Sequence, residues 1–242
     1  MLRIGTAGWS IPKHHAALAP GPGTHLERYA RAFNCVEINS SFYRPHRLAT
    51  WQRWADATPQ DFRFSIKFPK AITHVAKLVV APSSLDDFFA ETAALGKKLA
   101  VILIQLPPSL RFDDCPAAEF FEALRDRTDV DIALEPRHIT WFTPTANDLL
   151  NRHRIARVAA DPARDPTQEA DTLPAPAGWP GLAYFRLHGS PRTYYSNYGP
   201  HYLAALDQAI AELPSTTNTW VIFDNTALGH AFTNAHELQA LR

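Results

Sequence analysis

The stretch "YFRLHGS", Tyr184 to Ser190, alternates apolar and charged residues before it closes on Gly189. Side chains of an extended strand point to its two faces in turn. Tyr184, Arg186 and His188 therefore share one side, and Phe185 and Leu187 the other. Nothing nearby marks a solvated edge strand. The pattern makes sense if the apolar side meets helices and the charged side meets the axis of a sheet closed on itself.

The same kind of run recurs down the chain. Eight strand candidates stand out: "RIGTAGW" (3–9), "CVEINSSFY" (35–43), "FRFSIKF" (62–68), "LAVILIQL" (99–106), "DIALEPR" (131–137), "RVAAD" (157–161), "AYFRLHG" (183–189) and "WVIFDN" (220–225). Most are followed by a segment of helical period, as in "HLERYARAF", where Leu26, Tyr29, Ala30 and Phe33 fall on one helix face. Pro116 and Pro144 sit where a first-turn proline is harmless. The exception is 162–180, crowded with Pro and Asp, which reads as a long loop partly replacing the sixth helix. Eight βα units in 242 residues, with no linker splitting the chain, predict an α/β fold. The form expected is a single-domain (β/α)8 TIM-type barrel, a fold of roughly 250 residues. A doubly wound open sheet is the alternative.

Composition narrows the function. Of the residues 46% are hydrophobic and 20% charged, and 24 Lys plus Arg balance 24 Asp plus Glu. No global positive field gathers nucleic acid or anionic membrane, so a charged partner must meet a local patch. No apolar run reaches the ~18 residues needed to span a bilayer. Cys35 and Cys115 form no metal-ligand spacing and read as free thiols. With no leader recognised before "LRIGTAGW", the expected location is cytoplasmic.

Parity applied to the other strands finds more polar residues on the side opposite the apolar ones. Glu37, Asn39 and Tyr43 come from the second strand, Arg63, Ser65 and Lys67 from the third, and Glu135 and Arg137 from the fifth. Gln105, Asp161, Asp224 and Asn225 close the fourth, sixth and eighth strands. These positions crowd toward the C-terminal ends of the strands, where barrel active sites lie. A structural ion-pair plug is the rival explanation, although buried pairs often do no better than apolar residues of equal volume.

Seven blocks carry a resemblance: "IGTAGWS", "VEINSSFYRPH", "FRFSIKFPKAITH", "QLPPSL", "EPRHITWF", "YFRLHGSPRTYY" and "VIFDNTALGHAFTNA". In this order the chain resembles the YecE-like family, domain of unknown function family 72, from its first strand to its last helix. The resemblance implies a TIM-type barrel over residues 1–242 and supplies no established reaction. The loop "IPKHHAALAPGPGTHLERY" departs from the family, whose members carry further aromatic residues there.

The chemistry expected of the polar end is proton transfer or hydrolysis on a small anionic, hydroxylated molecule. Such a protein would be a hydrolase, isomerase or lyase. Glu37 and Glu135 are the acid/base candidates, with Arg137 holding Glu135 charged and His188 in support. Lys67, Arg137 and Arg186 suit a phosphate or carboxylate. The expected substrate-binding set adds Asn39, Tyr43, His74, Gln105, Asp161, Asp224 and Asn225, with Ser190 and Tyr195 from the loop after the seventh strand. Lys70, Arg192 and Tyr194 lie beside them in sequence.

No cofactor is predicted. A divalent metal on Glu37, Glu135, Asp161, His188 and Asp224 is disfavoured by the interleaved cations, and no dinucleotide, Walker or GxSxG motif occurs. Two alternatives remain. One is a nucleic-acid-binding or nucleic-acid-processing barrel using Trp9, Trp141 and Tyr195 for stacking. The other is a non-catalytic metabolite-binding barrel.

Overall fold

The computed structural model describes residues 1–163, 165 and 172–242. Ten strand segments occur among them. They are β1 (Leu2–Thr6), β2 (Cys35–Ile38), β3 (Arg63–Lys67), β4 (Leu99–Gln105), β5 (Asp131–Glu135), β6 (Ile155–Arg157), β7 (Ala159–Asp161), β8 (Ala177–Gly178), β9 (Leu182–Leu187) and β10 (Asn218–Phe223). The helices are α1 (His25–Ala32), α2 (Ser40–Tyr43), α3 (Leu48–Asp56), α4 (Pro82–Thr92), α5 (Asp114–Arg125), α6 (Pro144–Arg152), α7 (Pro200–Ala211) and α8 (His230–Ala240). The fold is α/β with parallel sheets. One sheet runs β1-β10-β9-β7 and the other β2-β3-β4-β5-β6-β8. Every pairing within them is parallel except β6 with β8.

Local chemistry explains most element ends. Thr24 and Glu27 form a reciprocal capping box at the start of α1. Thr143 accepts from the Ala146 amide, with Pro144 in the first turn of α6. Two expectations need correction. The run 35–43 is not one strand, because Asn39 turns to helical angles (φ −86°, ψ −21°) and residues 40–43 form α2. The Ser41 hydroxyl reaches the carbonyls of Ile38 and Lys67, which favours that turn. The expected sixth strand is also interrupted at Val158, so β6 pairs with β5 while β7 pairs with β9.

Residues 164 and 166–171 of the expected Pro-rich loop lie outside the described residues. The end of that segment returns as β8, antiparallel to β6. Gly178 lies so close there, at φ +70°, that a Cβ would come within 2.6 Å of the Ile155 carbonyl oxygen.

The two sheets also meet between β1 and β2. A lone parallel bridge joins Ala7 to Glu37, and the Gly8 amide donates to the Glu37 carbonyl at 2.8 Å. Where a ladder bond is missing, the buried Tyr29 hydroxyl takes its place. It accepts from the Thr6 amide at 2.8 Å and donates to the Cys35 carbonyl at 3.1 Å. A Cβ at Gly5 would stand 2.3 Å from the Cys35 carbonyl oxygen, so only glycine permits this approach.

Strand parity sorts the core into two clusters. One face of the strands, with Ile102, Ile104, Ile132, Leu134, Phe185 and Leu187, packs with helix residues such as Leu26, Phe121, Leu149 and Leu238. The other face carries Cys35, Val101, Leu103, Ala133, Ala156, Tyr184, Trp220 and Ile222. Two residues further along their strands on this second face come Glu37, Gln105, Glu135, Arg186 and Asp224. The apolar layer thus underlies a charged one. No helix among the described residues is long and apolar enough to cross a membrane.

Candidate functional site

Arg186, 1% exposed, is the centre of the charged layer. Its Nε and Nη2 grip Glu37, with the shortest contact 2.8 Å from Nη2 to Oε1. Nη2 also lies 2.9 Å from Asp224 Oδ2, and Nη1 lies 3.1 Å from Glu135 Oε2. Burial works against the guanidinium charge, but the carboxylates of Asp224, Glu37 and Glu135 outweigh it and raise the group well above its ordinary value. One arginine therefore holds three carboxylates from three strand ends.

The carboxylates differ in their remaining partners. Glu37, wholly buried, also accepts from the Tyr184 hydroxyl at 2.9 Å, so both its oxygens are engaged. Glu135 meets Gln105 Nε2 at 3.0 Å, His188 Nε2 at 3.0 Å and the Arg137 guanidinium. Burial pushes the Glu135 carboxyl up, but Arg186, His188 and Arg137 together hold it well below the usual carboxylate range. Asp224 is likewise pushed up by burial and brought below its ordinary value by Arg186 and His188.

His188, 1% exposed, lies between two of these groups, with Nδ1 2.9 Å from Asp224 Oδ2. A neutral imidazole has a single N–H and can satisfy only one of its two carboxylate neighbours; the doubly protonated ring donates to both. The Tyr194 ring stands edge-on over His188 at 5.9 Å. Tyr194 holds φ +71°, an uncommon backbone state for a residue with a Cβ.

Two cations at the edge of this layer each keep a donor without a protein acceptor among the described residues. Lys67 is 8% exposed, and its Nζ has neither hydrogen bond nor ion pair among the described residues. It lies 4.4 Å from the centre of the Phe42 ring. Burial and then Arg186 push the Lys67 amine down to about 8, against the pull of Glu37, Glu135 and Asp224. Arg137 engages Glu135 and His188, yet its buried Nε has no partner among the described residues. His74 belongs to the same edge: burial lowers it first, followed by the positive charges of Lys67, Lys70 and Arg137.

The remaining predicted residues lie elsewhere. Asp161 accepts from Tyr198 at 2.6 Å, away from Arg186, and burial raises its carboxyl. Asn225 ties the loop after β9 to α8 through Ser196 and Asn234, each at 2.9 Å, while its buried Oδ1 is unpartnered among the described residues. Asn39 Oδ1 is buried and unpartnered too. Tyr43 does not continue the inward face of the second strand; on α2 it is 76% exposed. Ser190 is exposed, and Tyr195 lies at the surface under the Arg192 guanidinium.

Trp141, expected to be available for stacking on bases, is buried with its Nε1 bonded to the Leu110 carbonyl, and Trp9 packs on Trp54. Sequence reasoning missed Tyr198, which braces both Asp161 and the Gly189 amide, and Asn234, its partner on α8. Their signal was only a Tyr in "YSNYG" and an Asn in "FTNA".

A cavity of about 640 Å³ is lined by none of the charged-layer residues. It lies between the loop after β1, with Ser10, Lys13 and His14, and the turn Thr226–Gly229. A second, of about 350 Å³, lies against Tyr43, Trp51 and Lys70 at the ends of β2 and β3. No group of three or more His, Cys, Asp or Glu able to hold a metal occurs among the described residues.

The profile of the family described as "Protein of unknown function DUF72" matches residues 3–242. The chain belongs to the DUF72 family. It is 32% identical over 167 residues to UPF0759 protein YecE of Escherichia coli K12, covering 66% of this chain and 59% of that protein. It is 28% identical over 152 residues to UPF0759 protein YunF of Bacillus subtilis, covering 60% of this chain and 53% of that one. These alignments therefore span little more than half of either relative.

Two solved structures of DUF72 proteins share the fold. One from Enterococcus faecalis has a TM-score of 0.81 at 22% identity, covering all (100%) of this chain and 95% of its own. One from Thermotoga maritima has a TM-score of 0.78 at 26% identity, covering 100% and 98%. DUF72, as its description says, carries no assigned activity, so the chemistry must be read from the side chains.

Proposed function

We propose that the two sheets form one closed (β/α)8 barrel in a single domain, with a site for a small anion at the C-terminal ends of its strands. Two features support closure. The seam between β1 and β2 is bridged by Ala7–Glu37 and the Tyr29 hydroxyl, and the chain passes from one sheet to the other within residues 155–161. Strand order then runs β1 to β7, β9 and β10 around one ring, with β8 outside it.

The observation that carries the ligand reading is a pair of cationic donors at the edge of the layer: Arg137 Nε, buried and without a partner among the described residues, and Lys67 Nζ, which has no protein acceptor among them. A buried donor without an acceptor costs about 1–3 kcal/mol, more when charged. A phosphate or carboxylate oxygen would satisfy both, with Lys70 adding positive potential beside them. The chemistry proposed is acid/base, with Glu135 kept ionised as base or anchor and His188 in support. Glu37, sealed and doubly engaged by Arg186, acts as the strut that aims the guanidinium. Nucleic acid is not favoured as the partner, since the chain is electrically balanced.

A non-catalytic metabolite-binding barrel is the second reading, favoured by one feature: both nitrogens of His188 already face carboxylates. Calorimetric titration with inorganic phosphate and with acetate tests the anion site. Binding that Arg137→Gln weakens about tenfold or more supports it, a tenfold loss being ~1.4 kcal/mol. Failure of the wild-type chain to bind either anion rejects it.

A further inference from the structure

We propose that Lys67 is a reactive amine whose Nζ adds to the carbonyl carbon of a small anionic aldehyde or ketone held at the edge of the charged layer, forming an imine. This rests on the anion-site reading above and gives its ligand a second functional group.

The contrast with Lys98 shows what is unusual. Lys98 Nζ is part-buried and donates to the Ala55 and Thr58 carbonyls and the Thr58 hydroxyl, at 2.6, 2.7 and 3.1 Å. All three of its donors are used, as a structural ammonium requires. Lys67 is 8% exposed yet has no acceptor among the described residues, only the face of Phe42. It ends β3 on the side that carries Ser65, so the strand aims it at the charged layer.

Glu37 on β2, Glu135 on β5, Arg186 on β9 and Asp224 after β10 act on it, and it acts in turn on His74 beyond β3, which Lys70 and Arg137 also face. None of the carboxylates reaches ion-pair distance. Burial and Arg186 lower the amine from its ordinary 10.5 to about 8, so a usable fraction is unprotonated at neutral pH.

The step balances without oxidant or reductant. The free amine's lone pair forms the N–C bond, and the carbonyl oxygen takes a proton to give a carbinolamine. That first proton comes from the attacking nitrogen; the hydroxyl takes a second from solvent, the C–O bond breaks with loss of water, and the nitrogen keeps its remaining proton as an iminium. The ionised carboxylates of Glu135 and Asp224 face that new cation. The Arg137 guanidinium, partly exposed and with its Nε unpartnered among the described residues, would pair with the ligand's own carboxylate or phosphate.

Reductive trapping tests this on the whole chain. The protein is incubated with pyruvate, or with acetone as its neutral counterpart, in the presence of sodium cyanoborohydride, and modified lysines are mapped by peptide mass spectrometry. The sequence has six lysines, so Lys13, Lys70, Lys77, Lys97 and Lys98 are internal controls. Lys67 is expected to be trapped about ten to a hundred times faster than the others at neutral pH, as an amine with a raised unprotonated fraction requires. Pyruvate should outpace acetone, inorganic phosphate should protect, and Lys67→Arg, checked for folding by circular dichroism, should show no adduct at that position.

Lysines labelled at similar rates, or a folded wild-type chain that binds phosphate through Arg137 without trapping pyruvate at Lys67, overturn the reactive amine and leave the anion site standing. Trapping at Lys67 with equal rates for pyruvate and acetone and no protection by phosphate overturns the anionic substrate class and, with it, the anion site.

Discussion

Replacing Lys67 with Met should stabilise the protein at neutral pH. The lysine's folded value of about 8 lies below its ordinary 10.5, and each unit of difference is about 1.4 kcal/mol between protonation states. Below the folded value the ammonium is charged in both states, so its burial costs the native state about 3 kcal/mol. As pH rises from about 8 toward 10.5, the unfolded chain holds the proton that the folded chain has released, and wild-type stability climbs relative to the variant.

Met keeps a chain of similar length against Phe42, and its sulfur–aromatic contact offsets the lost cation–π attraction of about 1 kcal/mol. Urea unfolding of both proteins at neutral and alkaline pH measures the difference. The variant should have the higher midpoint at neutral pH, by up to about 3 kcal/mol, and the gap should close with rising pH. A Met variant less stable than wild type at neutral pH would refute the reasoning, because Lys67 would then be a satisfied member of a structural ion-pair plug.

Tyr29→Phe removes the hydroxyl that joins Thr6 to Cys35 and leaves a buried N–H and C=O unpaired; a loss of about 2–4 kcal/mol in urea unfolding is expected. Glu135→Gln should flatten the acid limb of stability. The folded Glu135 value lies well below the ordinary one, so its contribution is present above the usual carboxylate range and lost as pH falls through the folded value. The same variant should abolish any turnover found for the wild-type chain, and full activity would remove Glu135 from the acid/base role. Arg137→Gln should lose phosphate binding while keeping its fold, read by calorimetry and circular dichroism.

The rhythm of strand and helix was legible because burial of one strand face against helices imposes a period of two, as Phe185 and Leu187 against Arg186 display. The charged layer was legible for the same reason. Parity alone put Glu37, Glu135 and Arg186 on a common face, and the structure brings all three together. Parity failed at Tyr43, because Asn39 leaves the extended region after Ile38 and the alternation ends there. It also missed the break at Val158, where the chain changes pairing partner without any marked residue.

Family membership and the polar strand ends are properties of order along the chain, and the sequence by itself determined them. Which carboxylate meets which nitrogen is a matter of angstroms between residues as far apart as Glu37 and Arg186, and only the folded geometry decided it. Glu37 and Glu135 look alike as letters, yet one is locked on both oxygens and the other faces His188 and Arg137. Lys67 and Lys98 look alike as well, and only their surroundings separate a satisfied ammonium from one with no acceptor among the described residues. The physical reason is that charge and desolvation act through space, over a few angstroms, and take no account of distance along the chain.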